Sequence, residues 1–152
     1  MSKTRSTTRR KRTKSTATRK VAKLMRDLDF CMFTTHAGRG GFHARPMSNN
    51  GEVEFDGDVW FFSAADSRKV REIKANPTVH LAYADLEDWR FVSMTGRAQV
   101  IRDPEKKAEL WMDDLERWFD DGPDSEGIVL IKVTPSLVSY WTRSGSGDLR
   151  IK

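Results

Sequence analysis

The chain has one cysteine and three histidines in 152 residues, and no long apolar run. Each scarcity removes a class of protein. A lone thiol excludes an internal disulfide framework and leaves no second cysteine for a zinc set, and it fits a reducing compartment. Cys31 stands in Phe30-Cys31-Met32-Phe33, so it reads as an inert buried thiol, not a nucleophile. His36, His43 and His80 lie on separate segments without metal-ligand spacing, and no metal site is expected. No run approaches a membrane span, and no secretory apolar core precedes residue 30; a cytoplasmic protein without membrane contact is expected. There is no nucleophile elbow, P-loop or dinucleotide fingerprint. Asp113 and Asp114, like Asp120 and Asp121, are sequence neighbours that point different ways, so they are expected to be solvated surface. No catalytic acid or base is named.

Acid is missing from the first twenty residues, which hold nine Lys or Arg. The remaining 132 residues carry eighteen basic and twenty-two acidic side chains, so the net charge of +5 belongs to the tail and not to the body. Residues 1–20 are rich in Ser, Thr, Lys and Arg and cannot bury enough surface to offset their ordering entropy. They are expected to be a disordered basic tail. It could be inert, make weak nucleic-acid contacts, or act as a targeting peptide. Residues 21–152 form one domain, large enough for a real core.

What is present is mostly strand. Val21–Leu28 reads as a short helix, with Val21, Leu24, Met25 and Leu28 on one side. Phe30–Thr35 and Phe42–Met47 read as strands around a Gly-rich turn. Pro46 implies an edge, a bulge, or an approach by something other than a neighbouring strand. Val53–Phe55 and Val59–Phe62 read as a hairpin closed by Asp56-Gly57-Asp58. Thr78–Tyr83 and Trp89–Ile101 follow, the latter bent at Gly96. Asp103-Pro104 opens a helix that runs to about Phe119, with Trp111 and Trp118 on one packing face. Ile128–Val133 and Leu137–Thr142 are the last strands, separated at Pro135. So many antiparallel-looking strands in so short a body predict a closed or nearly closed barrel with peripheral helices.

The stretch Ser63-Ala64-Ala65-Asp66-Ser67-Arg68-Lys69 joins the strand Val59-Trp60-Phe61-Phe62 to a helix that Asn76-Pro77 stops. Asp66 or Ser67 can cap that helix. Its free N–H groups and positive dipole end meet two cations, which makes an anion site. The dipole supplies only about 0.3–1 kcal/mol, so Arg68 and Lys69 must supply much of any phosphate affinity. An ordinary solvated basic turn is the competing reading. Elsewhere, His43-Ala44-Arg45-Pro46-Met47 sets a cation beside a residue that cannot donate to a ladder, and Ser139-Tyr140-Trp141 ends a strand with a large flat ring.

Together these segments resemble the FMN-binding split-barrel superfamily. That group holds the pyridoxamine 5'-phosphate oxidases and the shorter general stress protein 26-like proteins. The likeness covers Val21 to Trp141. It is most specific from Phe62 to Pro77, and His43–Met47 resembles the stress-protein branch. It implies a mainly β, Greek-key-like antiparallel split barrel with a few peripheral helices, forming a homodimer with FMN in a groove between two barrels. By position, Ser67, Arg68 and Lys69 would hold the flavin phosphate, Phe62 and Ser63 would line the flavin, and backbone groups around Arg45, Pro46 and Met47 would face the ring edge. Trp141 would reach the cofactor from the other subunit. The implied function is a flavin-dependent oxidoreductase. The alternatives are a non-catalytic flavin carrier or sensor, or an F420- or haem-binding relative, for which Arg90 and Arg97 are the nearby cations that could hold a longer anionic tail. Asn50 stands where pyridoxamine phosphate oxidases carry a lysine, Phe91 replaces their flavin-side glutamine, and residues 144–152 lack their substrate segment. Pyridoxamine phosphate is therefore not the expected substrate.

Overall fold

A computed structural model of the chain describes residues 15–51, 53–112, 115, 119, 122 and 125–151. The charge-rich residues 1–14, Asp113, Asp114, Trp118, Asp120 and Asp121 lie outside the described residues, and so do the expectations placed on them.

Helix α1 spans Thr16–Met25, capped by Ser15, whose side chain accepts from Thr18 N. It buries Thr18, Val21, Leu24 and Met25. A helix already under way at Thr16 corrects the tail boundary: residues 16–20 are ordered because Thr18 and Val21 share a face that packs on the body. The hairpin β1 (Phe30–Gly38) and β2 (Gly41–Ser48) follows. Its turn runs through Gly38, Arg39 and Gly40 at φ of 82°, 51° and 78°, which explains the local richness in glycine. Next come β3 (Val59–Ala64), α2 (Arg68–Ala75), β4 (Thr78–Asp85) and β5 (Arg90–Ile101). Then α3 (Pro104–Leu110), β6 (Ile128–Thr142) and β7 (Gly145–Arg150) complete the chain.

The seven strands form one antiparallel sheet in the order β2-β1-β4-β5-β6-β3, with β7 pairing on β6. The hydrogen-bonded path is open, which corrects the closed barrel. β3 pairs with the first half of β6 and β7 with the second half, so the long β6 serves two short edge strands. One register row crosses the inner face as Phe33, Leu81, Met94 and Val138. None of these four side chains is exposed, and each contributes about 1.5–3 kcal/mol by leaving water. Phe61 on β3 meets Phe33 edge-on at 5.0 Å, although β3 and β1 are not hydrogen-bonded neighbours.

Four boundaries differ from the sequence reading, each for a tertiary reason. Val53–Phe55 is not a strand; Phe55 is buried and β3 takes its partner from β6. α3 ends at Leu110, where Trp111 leaves helical geometry at ψ 135°. Its ring turns to Phe62, edge-on at 5.3 Å. Pro135 does not divide β6, because it falls at the register shift opposite Gly96, where a missing donor costs little. β7 has no apolar alternation to announce it. Its Gly147 lies against Tyr140, so close that a Cβ there would meet the hydroxyl at 2.7 Å.

Among the described residues, no helix is long and apolar enough to cross a membrane. Cys31 is buried, and burial, opposed by a hydrogen bond with Tyr83, pushes its thiol up to about 12.

Candidate functional site

β3 ends on Ala64, just past Ser63, and three residues later Ser67 caps α2, its Oγ accepting from Val70 N at 3.4 Å. Of the two candidate caps, Ser67 is the one used. Val70 and Ile73 hold the helix to the core, and Asn76 ends it before Pro77. The first turn therefore presents Arg68 and Lys69 at the end of the sheet. Ser63 Oγ donates to Ala64 O at 3.0 Å and accepts from Lys69 Nζ at 3.0 Å. With its proton so engaged, it is the acceptor in its 3.1 Å contact with Ser67 Oγ. The two hydroxyls thus tie the strand end, the cap and the lysine together.

Helix α2 also carries Glu72 toward the β1–β2 hairpin. Arg45 Nη1 donates to Phe33 O at 3.1 Å and to Thr35 Oγ1 at 3.0 Å. Arg45 Nη2 donates to Glu72 Oε1 at 3.2 Å. Thr35 Oγ1 donates to Glu72 Oε1 at 2.7 Å, and His43 Nδ1 donates to Oε2 at 2.5 Å. On the far side of the imidazole, Arg68 Nη1 lies 3.4 Å from His43 Nε2. These side chains join α2 to the hairpin through one carboxylate.

The electrostatics follow from this arrangement. Burial would raise the Glu72 pKa, but hydrogen bonds from Thr35 and His43, together with the charges of a protonated His43 and of Arg45, outweigh it and hold the carboxyl below its ordinary value. Lys69 is lowered, first by burial and then by the nearby Arg45 charge. Arg45, Arg68 and Lys69 set three cations against the single carboxylate of Glu72. A dianionic group at the α2 start would offset both influences on Lys69.

The structure gathers Arg45, Ser63, Ser67, Arg68 and Lys69 into one cluster. It does not gather the rest. The Phe62 side chain alternates to the other face of β3 from Ser63 and meets Trp111. Pro46 is exposed on the edge strand β2, opposite Met32, and Met47 is half-buried against the core. The Arg45 guanidinium is turned toward Phe33 O, Thr35 and Glu72. Trp141, 48% exposed, lies on β6 beyond Val129, the register partner of Ser63. The separation is twelve residues, about 40 Å of strand, so Trp141 does not reach this cluster within one chain. Arg90 is already engaged: it donates to Leu24 O at 2.7 Å and Arg26 O at 2.8 Å and pairs with Asp85 and Asp88. That corrects its availability for an anionic tail.

Thr35, His43 and Glu72 were not singled out as site residues. Thr35 carried a signal: it is a polar residue, 1% exposed, on the inward phase of β1. Glu72 carried another, being four residues after Arg68 on a helix that is otherwise basic on that side.

A family model described as pyridoxamine 5'-phosphate oxidase like matches residues 16–151. The chain belongs to that family. Within it, general stress protein 26 of Bacillus subtilis (strain 168) is 33% identical over 76 residues, covering 48% of this chain and 54% of that protein. The match thus spans about half the length of this curated relative. The crystal structure of General Stress Protein 26 from Bacillus anthracis superposes with a TM-score of 0.75 at 22% identity, covering 88% of this chain and 98% of the other. The general stress FMN/FAD binding protein of Xanthomonas citri superposes with a TM-score of 0.71 at 23% identity, covering 90% and 95%. At these identities the superpositions establish the shared split-barrel-like fold.

Proposed function

We propose that this chain binds FMN through Arg68, Lys69, Ser63 and Ser67, and acts as a cytoplasmic flavin-dependent oxidoreductase of the general stress protein 26 type. The observation that carries the reading is the cation excess at the β3–α2 junction, where the first-turn N–H groups have no carbonyl of their own helix to reach. The donor set fits a phosphate: two cations, one of them partly desolvated, and two hydroxyls at a helix start. Further support comes from the family assignment and from relatives of this fold named for FMN or FAD binding. Bound FMN would supply hydride or single-electron chemistry. The residues of this chain anchor the phosphate, orient the flavin and set the local charge.

The reading includes a homodimer with a groove shared by two copies. From β2 to β6, register rows on the outer face of the sheet hold no acid, lysine or arginine: Pro46, Met32, Ala82, Ser93 and Ser139 form one, which meets Asp148 on the edge strand β7, and Ala84, Phe91 and Trp141 form another. Met32 is 45% exposed. In a chain that is 32% charged, such a face suits burial against a copy of itself. Trp141 on that face would meet the partner's flavin.

A carrier or sensor is the second reading, and one observation favours it. The carboxylate of the cluster, Glu72, is occupied by three donors and lowered in pKa, so it is a poor proton acceptor at neutral pH. F420 and haem remain distinct alternatives. The test is the co-purifying chromophore: flavin absorbance is expected, and a colourless chain that takes up only F420 or haem rejects the proposal. Bleaching of the bound flavin by NADH or NADPH, with reoxidation by an acceptor, distinguishes an oxidoreductase from a carrier.

A further inference from the structure

The imidazole of His43 stands between the cation that faces the proposed phosphate and the carboxylate that organises the cluster. Glu72 accepts from Nδ1, so the proton of a neutral ring is on Nδ1. Nε2 then offers a lone pair, and the Arg68 guanidinium 3.4 Å away is its donor. A phosphate gripped by Arg68 and Lys69 changes what Nε2 faces. Arg68 turns its N–H groups to the phosphate oxygens, and a lone pair on Nε2 beside a dianion is repulsive.

From this geometry we infer that His43 takes up a proton when a phosphate binds at Arg68 and Lys69, and becomes a third cationic donor to it. The inference rests on the phosphate reading of the site. In the step, Nε2 takes one proton from solvent and the Arg68 N–H···Nε2 contact opens. A new Nε2–H···O–P bond forms, and Nδ1–H stays on Glu72, which becomes the counter-ion of the imidazolium. Among the described residues, the charged groups that face the ring are Arg68 and Glu72 from α2 and Arg45 from its own strand, reached through Glu72. Lys69 lies close enough to Arg45 to be affected by its charge. From β1 the register partner is the uncharged Thr35. Glu72 supplies what an imidazolium needs, and Arg68 ceases to oppose it once its charge is shared with the phosphate. The fold thereby ties phosphate recognition to proton uptake and leaves recognition of the ring untouched.

Calorimetric titration of the full chain with FMN and with riboflavin, near pH 8 in two buffers of different ionisation heat, tests this. At that pH the FMN phosphate is already a dianion, so protons taken up go to the protein. Lys69 could contribute to the uptake, so the same titration of His43→Gln isolates the imidazole; Gln can still donate to Glu72 but cannot take a proton. Expected is uptake approaching about one proton per FMN, reduced in His43→Gln together with an affinity loss of about tenfold. Riboflavin affinity should be the same in both proteins. His43→Asn serves if His43→Gln does not fold. Equal uptake and equal FMN affinity in wild type and variant overturn the inference while leaving FMN binding intact. A wild-type chain that binds no FMN removes the phosphate reading itself, and the inference with it.

Discussion

Glu72 receives Thr35, His43 and Arg45 on its two carboxylate oxygens, so its charge holds helix and hairpin in one geometry. Its pKa is lowered in the fold, and the sign follows directly. Stability from Glu72 is complete above the ordinary carboxylate value of 4.5 and is lost as pH falls through the lower folded value. Glu72→Gln should flatten that acid limb and lower the urea midpoint at neutral pH, because Arg45 keeps a charge without its partner. An unchanged acid limb would show that the carboxylate has no such role. Arg68→Ala combined with Lys69→Ala removes two charge-assisted contacts of roughly 1.5–3 kcal/mol each, so flavin affinity should fall at least about a hundredfold. Fluorescence titration checks this, and retention at wild-type affinity rejects the site. His80 acts in the same sense as Glu72 but nearer neutrality: burial lowers its pKa below 6.5. Between that value and its folded value the unfolded chain binds more protons, so stability declines as pH falls below 6.5. His80→Gln should remove that part of the slope in urea melts taken at several pH values.

At the level of elements, the junction of β5 with β6 has the least tolerance. A Cβ on Gly96 would lie 2.7 Å from Thr134 O and 2.9 Å from Pro135 Cα, both backbone atoms that cannot move without disturbing the bulge. Gly96→Ala should therefore cost about 1–3 kcal/mol, read as a lower denaturant midpoint. The glycine and the proline were separately visible in the sequence, one as a bend and the other as a break. That they face each other at a single register shift was not, because local patterning does not say which strands are neighbours. The same limit hid the true extent of α1. Thr18 has no apolar character to mark it, yet it is 8% exposed beside Val21, because the body supplies a surface for it. α3 was overextended for the converse reason. The apolar period ran on to Phe119, but Trp111 leaves the helix to pack on Phe62.

The whole molecule presents two faces of different kinds. The inner face holds the core and, at its end, the cation cluster; the outer face carries one uncharged row across five strands, bounded by Asp148 on β7. Met32→Lys would place a charge in the middle of a row that includes Pro46 and Ala82. It should convert a dimer to monomers in sedimentation equilibrium, with flavin retention falling alongside. A dimer that survives Met32→Lys would point to a different contact surface. The basic residues 1–14 carry the chain's surplus charge. The proposed nucleic-acid contact of this segment predicts that its deletion weakens DNA binding at low salt, whereas unchanged DNA binding rejects that contact.

By itself, the sequence determined the strand-rich class, the capped helix after β3, the adjacency of Arg68 and Lys69 and the opposite facing of Phe62 and Ser63 on one strand. Each of these follows from residue type and near-neighbour spacing, which act over a few bonds. Tertiary structure alone decided that the sheet stays open, that β6 runs through Pro135, and that the strand of Pro46 lies at an edge. It also decided that Thr35, His43, Arg45 and Glu72 converge. Those outcomes depend on which strands lie side by side, and residues 35 and 72 become neighbours only when α2 packs across the β1–β2 hairpin.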